Sequence, residues 1–244
     1  MTKYYLTAGR LINDVAVDVG SESAADPVAS ADKQFVQLTR QLNIAIEEMA
    51  EVNDWAEFKR THTFVTITAT YPDGEYPLPT DFHYMVDQTH WDRTNNAPLI
   101  GPLSSQQWHL LLGADTTSVI DVTFRQVEGI MALYPTVPDD GLTIAYEYAS
   151  TNWIRNAADN AYLKAVVSTG DTVLLPPSLI RAYLKMKYNG SKGFQTIDAN
   201  QAVSMFLDSS GGKDVGAPKL SLTGRGSRYR MMGYRNIPET GFGA

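Results

Sequence analysis

The sequence predicts an α+β fold: helices from both ends of the chain form one bundle, an antiparallel β-sandwich or barrel-like module is inserted between them, and an extended arm closes the C-terminus. Three observations predict it. Apolar residues recur every three or four positions from Ser30 to Trp55, the period then switches to alternation in short strands up to Tyr148, and helical spacing returns after Pro176. The implied divisions are 1–57 for the first helices, 58–170 for the β-rich module, 171–210 for the closing helices and 211–244 for the arm.

Leu6 to Val19 carries Leu11, Ile12, Val15 and Val19 at helical spacing, interrupted by Gly9 and ended by Gly20. The small, acidic, proline-containing stretch Ser21 to Ala29 reads as a loop. In the long helix that follows, Phe35, Leu38, Leu42, Ala45, Met49, Val52 and Trp55 make the apolar stripe. Thr61 to Thr70 then alternates as a strand, and Pro72-Asp73-Gly74 turns the chain. In Tyr76-Pro77-Leu78-Pro79 each proline drives the residue before it to extended geometry. His83 to Val86 and Pro98 to Ile100 suit short strands, and Ser104 with Gln107 has the capping-box spacing of a helix start. Val119 to Val127, Gly129 to Tyr134 and Leu142 to Tyr148 read as further strands, with turns at Pro135 to Pro138 and Asp139-Asp140-Gly141. Pro176-Pro177-Ser178 opens a helix that Gly190 is expected to end, and Ile197 to Leu207 fits another.

Composition is that of a folded chain. Of 244 residues 43% are hydrophobic and 19% charged, which excludes wholesale disorder and suffices for a sizeable core. The net charge of −7 is unevenly spread. From Gly211 onward six basic residues stand against Asp214 and Glu239, a net +4, which leaves −11 on the residues before it. An acidic body with a basic tail points to an acidic partner for the tail, protein or nucleic acid, against the plainer reading of a solvated tail. The chain has no cysteine, so disulfides and thiolate metal sites are ruled out. Met1 to Leu6 lacks the apolar run of a signal peptide, and no stretch is long and apolar enough to span a bilayer, so a protein made in a cytoplasm and independent of membranes is expected.

No residue set is catalytic in type. His62, His83, His90 and His109 lack metal-ligand spacing apart from the loose His90-Trp91-Asp92, and Glu47-Glu48 and Asp139-Asp140 suit a solvated face and a turn. Neither a phosphate loop nor a nucleophile elbow is present, so no metal, cofactor or catalytic residue is expected. Trp55, Trp91, Trp108 and Trp153 suit core or subunit contacts, or else a stacking platform for sugars or bases. The tail alternates Arg225, Arg228, Tyr229, Arg230, Tyr234 and Arg235, a pattern for phosphates and bases or for an acidic protein groove.

In order and spacing, these motifs resemble the head-to-tail adaptor (connector, or head-completion) proteins of tailed bacteriophages, particularly short-tailed ones. The features concerned are Glu47 to Trp55, Tyr76 to Phe82, Trp91-Asp92-Arg93, Ser105 to Trp108, Leu133-Tyr134-Pro135, Gly141 to Tyr148 and Leu174 to Pro177, within about residues 5 to 210. The resemblance implies a structural virion protein at the head–tail junction and no enzyme. It implies a homo-dodecameric ring under the portal that extends the DNA channel, retains the packaged genome and seats tail nozzle, tubular or fibre proteins. Double-stranded DNA would pass without sequence-specific binding, and an acidic lining would repel it and let it slide. The arm would reach the portal through Arg225 to Arg235, with Trp55, Trp91, Arg93 and Trp108 packing subunits. Asn156 to Thr169 and the long tail depart from shorter relatives. The competing expectation is a carbohydrate-binding or cell-wall-degrading virion protein. A third is a single-strand nucleic-acid binder acting through the tail.

Overall fold

Thr7 starts the first helix, its hydroxyl accepting the Arg10 N–H, and α1 (Ala8–Asp18) buries Leu11, Ile12, Val15 and Ala16 on one face. This is the first element of a computed structural model that describes residues 5–113, 122–135 and 140–214. Gly9 does not interrupt the helix. It lies in the first turn, where a Cβ would stand 2.1 Å from Thr169 Cγ2, and its N–H donates to the Thr169 carbonyl at 3.0 Å. Asp32 caps α2 (Lys33–Val52) by accepting the Gln34 N–H, and Phe35, Leu38, Leu42, Ala45, Ile46 and Met49 face the core. The helix stops before Trp55, which folds back so that its Nε1 donates to the Met49 carbonyl at 2.8 Å. Val52, expected inward, is exposed, and Ile46 takes the stripe instead.

A single 3-10 turn leads into β1 (Lys59–Val65), followed by β2 (Glu75–Pro77), β3 (Phe82–Met85), β4 (Trp91–Asp92) and β5 (Ala97–Pro98). Then come α3 (Ser105–Gly113), β6 (Thr123–Val127), β7 (Ile130–Tyr134) and β8 (Thr143–Ser150), and three two-residue strands: β9 (Ile154–Arg155), β10 (Tyr162–Leu163) and β11 (Thr172–Val173). Among the described residues the pairings between these strands are all antiparallel, and a single parallel bridge joins Ile100 to Thr123. β8 is the spine of a five-stranded sheet: β1 lies along one side over its full length, while β3 and β4, with β5 beyond, share the other. The orders β2-β7-β6 and β10-β9-β11 make two three-stranded sheets. Ile144, Tyr146 and Tyr148 from β8 share one buried cluster with Tyr76, Phe124, Met131 and Leu133 of the β2-β7-β6 sheet.

The fold class is therefore α+β, with five helices and several antiparallel sheets among the described residues. Core membership crosses the boundary expected at residue 170. Trp153, Ile154 and Val166 are buried with α1, α2 and the closing helices, not with the β cluster. β11 also meets the start of α1, where Thr7 bridges Thr172.

Pro177 opens α4 (Pro177–Lys192), where a missing N–H costs nothing, and α4 packs against α1 and α2. Asp14–Arg181, Asp18–Lys185 and Glu48–Lys187 ion pairs line those two contacts. Gly193, with φ 75°, is the helix cap; the expected stop, Gly190, lies three residues inside. A Cβ at Gly190 meets nothing closer than 4.0 Å. Gly190→Ala is therefore expected to stabilise the chain by about 0.5–1 kcal/mol through its helix propensity, read as a raised urea midpoint. The last helix, α5 (Ile197–Asp214), runs through Ser210-Gly211-Gly212 and so extends into the segment expected as the arm.

Candidate interaction surfaces

Alternation along β8 gives the five-stranded sheet two unlike faces. Ile144, Tyr146 and Tyr148 point into the β core, where Phe64 and His62 of β1 join them through the Phe64↔Ile144 and His62↔Tyr146 register pairs. The opposite face carries Thr61, Thr63, Val65, Ala145, Glu147 and Trp91. There Trp91, Arg93, Gln88, Thr61 and Glu147 line a shallow open groove. Trp91 is half-buried on Ala145, while the Arg93, Gln88 and Glu147 side chains stand in solvent. A ring flanked by a guanidinium, an amide and a carboxylate can stack and hydrogen-bond with a protein side chain or a sugar.

The corner at Thr80-Asp81-Phe82 fixes the far end of this sheet. Asp81 accepts the Tyr148 hydroxyl at 2.9 Å and the Ser150 hydroxyl, and its carbonyl accepts the Thr151 N–H at 2.8 Å. Burial, followed by the bond to Asp81, pushes the Tyr148 phenol up to about 12. Arg60 donates to the Asn152 carbonyl, and its guanidinium lies 3.4 Å from the centre of the Tyr162 ring, joining β1 to β10. Asp54 pairs with Lys59 and accepts the Tyr84 hydroxyl, tying the exit of α2 to β3. Of these residues Asp81 stood within an expected motif. Asp54 lay within another, Glu47 to Trp55, whereas Arg60 and Tyr162 had no signal in sequence, because they meet across a long separation.

The residues expected at sites fall into three groups. Trp91 and Arg93 come together at the groove. Trp55 and Trp108 are only 2% and 8% exposed, Trp55 in the helical core and Trp108 against Tyr134 in a small third cluster. With Trp153 also buried, the four tryptophans form no shared stacking platform. Arg225, Arg228, Tyr229, Arg230, Tyr234 and Arg235 lie outside the described residues. Among the described residues no group of three or more His, Asp or Glu side chains is placed to hold a metal ion, and no helix is long and apolar enough to cross a membrane.

Two histidines flank the buried Tyr146 ring. His90 is 3% exposed, 4.4 Å from Phe124 and 5.9 Å from Tyr146, while His62 lies 5.4 Å from Tyr146 on the other strand. Burial lowers the pKa of both below 6.5, and the charges of Asp87 and Asp81 only partly oppose it. A lowered histidine pKa means that the unfolded chain takes up protons first as pH falls. Stability is thus full above 6.5, declines below it, and levels off once the folded pKa is passed. The unfolding free energy read from urea titrations is expected to fall between pH 7.5 and 5.5, with a limiting slope of about 1.4 kcal/mol per pH unit for each histidine. His90→Phe should remove its share of that slope.

No curated protein matches the chain. The model of the family described as SU10 adaptor protein matches residues 6–212, well over half of the sequence, from just before α1 into the last turn of α5.

Proposed function

This chain belongs to the SU10 adaptor protein family, a phage head–tail adaptor family, and we propose that it forms a homo-dodecameric ring seated under the portal. In that ring it extends the DNA channel, helps retain the packaged genome and receives the tail proteins below. The role is structural. The family match over residues 6–212 carries this reading, because it takes in both the helical core and the β module.

Charge supports it. The body holds −11, a sign that repels a duplex and leaves it free to slide, whereas the +4 of the last 34 residues suits an acidic protein surface. Arg225, Arg228, Tyr229, Arg230, Tyr234 and Arg235 are the residues we assign to the portal, since Arg and Tyr are favoured interface side chains. Trp91 and Arg93, at the surface of the five-stranded sheet, remain candidates for contacts between copies.

The test is the native mass of the chain mixed with its portal, beside the chain cut after Asp214. The full chain is expected to give one copy per portal subunit and the truncated chain none. Undiminished binding by the truncated chain refutes the arm as the portal contact, and no complex with either refutes the adaptor arrangement. The carbohydrate reading keeps a single surface tryptophan, Trp91, and predicts binding of cell-wall fragments that Trp91→Ala abolishes.

A further inference from the structure

On the face of α2 turned away from the core, Val36, Arg40 and Ile44 form a row at i, i+4, i+8, with a shallow groove on either side. Val36 is 54% exposed. On the face of α5 turned away from the core stands a second row of the same spacing, Ile197, Gln201 and Met205, with Ile197 55% and Met205 71% exposed. The two rows share one pattern: apolar, polar, apolar. α4 packs against both helices, so the rows belong to separate flanks of the helical core. Their charges are opposite. Exposed Lys33 and Arg40 accompany the α2 row, where Glu47 at the end of one groove is paired with Lys164, and exposed Asp198 and Asp208 accompany the α5 row.

We propose that the α5 row of one copy packs into the grooves beside the α2 row of the next. Rows at i±4 are the ridges that interdigitate in the commonest class of helix packing, and both helices present that row outward. Lys33 and Arg40 of one copy then face Asp198 and Asp208 of its neighbour, which fixes polarity and disfavours α2 on α2 or α5 on α5. Because the two surfaces differ, the contact is head-to-tail and propagates until a ring closes, whereas a self-complementary patch would stop at a dimer. The inference rests on the ring reading above and adds its helical interface.

The absence of cysteine makes the test direct. Full-length Val36→Cys and Met205→Cys variants are mixed, oxidised and compared with each variant alone, with native mass recorded in parallel with and without the portal. A covalent dimer in the mixture only, and a ladder beyond dimer for the chain carrying both substitutions, is the expected result. Arg40→Glu should weaken association by roughly tenfold or more, and Asp198→Lys with Asp208→Lys in the neighbour should restore it. Copies that assemble without the mixed cross-link, or that cross-link through Val36→Cys alone, overturn this interface and leave the ring reading standing. Copies that assemble under none of these conditions overturn the ring reading itself.

Discussion

Asp171→Ala is expected to destabilise the chain by roughly 3–5 kcal/mol, a large share of the stability of a typical domain. Asp171 is fully buried, and its carboxylate accepts three backbone N–H groups: Ala157 at 3.2 Å, Val167 at 2.8 Å and Ser168 at 2.7 Å. Its carbonyl accepts the Ala8 N–H at 2.7 Å, and the neighbouring Thr169 carbonyl accepts that of Gly9. These are first-turn donors of α1, which have no partner within their own helix. The carboxylate therefore shapes the 156–170 loop, and the loop in turn completes the start of the first core helix. Alanine leaves three donors facing a site from which water is excluded, at about 1–3 kcal/mol each before relaxation. Asp171→Asn should do nearly as badly, because its amide turns N–H against N–H. Asp159→Ala, which gives up one solvent-exposed bond to the Ala161 N–H, should change the urea midpoint little. If Asp171→Asn matched the natural chain, the loss would lie in shape and not in acceptor chemistry.

That residue also marks where the sequence stops being legible. α2 is readable because one-sided burial imposes its own period over 20 residues, and β8 because apolar and small or polar residues alternate from Leu142 to Tyr148. The strands β9, β10 and β11 have two residues each, too few to show a period, and they exist because Ile154 and Val173 fit the helical core. An aspartate between glycine and threonine looks like ordinary turn chemistry. Only the arrival of α1, some 160 positions earlier in the chain, buries it. The tryptophans show the same limit in reverse. Spacing suggested that Trp55 continued the α2 stripe, whereas the helix ends at Val52 and the indole returns beneath it. Of the residues expected at subunit contacts, Trp91 and Arg93 share a groove because β4 pairs with β8, a pairing across about 50 residues that no local pattern encodes.

Gly101→Ala is expected to cost about 2–3 kcal/mol although the residue is exposed on its outer side. A Cβ there would lie 2.5 Å from the Phe124 carbonyl oxygen and 2.7 Å from two atoms of the Phe124 ring. Neither can give way easily. The ring is fully buried in the β core against His90, and the carbonyl accepts the Leu103 N–H at 2.9 Å. Ile100 is held on the same strand by bonds to Val122 and Phe124, so the crossover from β5 to α3 cannot move away without breaking its ladder. The strain should therefore pass to α3, which rests on the chain through Trp108, set edge-on to Tyr134 at 6.2 Å. Gly113→Ala, whose Cβ meets open space, should be nearly silent. Among the described residues the helical core shares no buried residue with the β cluster. Gly101→Ala is thus expected to lower the melting of the β module while leaving the α2 and α5 rows in place. A variant that loses only the near-ultraviolet share of Trp91 and Trp108, keeping that of Trp55 and Trp153 in the helical core, yet still cross-links between Val36→Cys and Met205→Cys would show that the helical core alone joins copies. Loss of both together would show that the β module takes part in that contact.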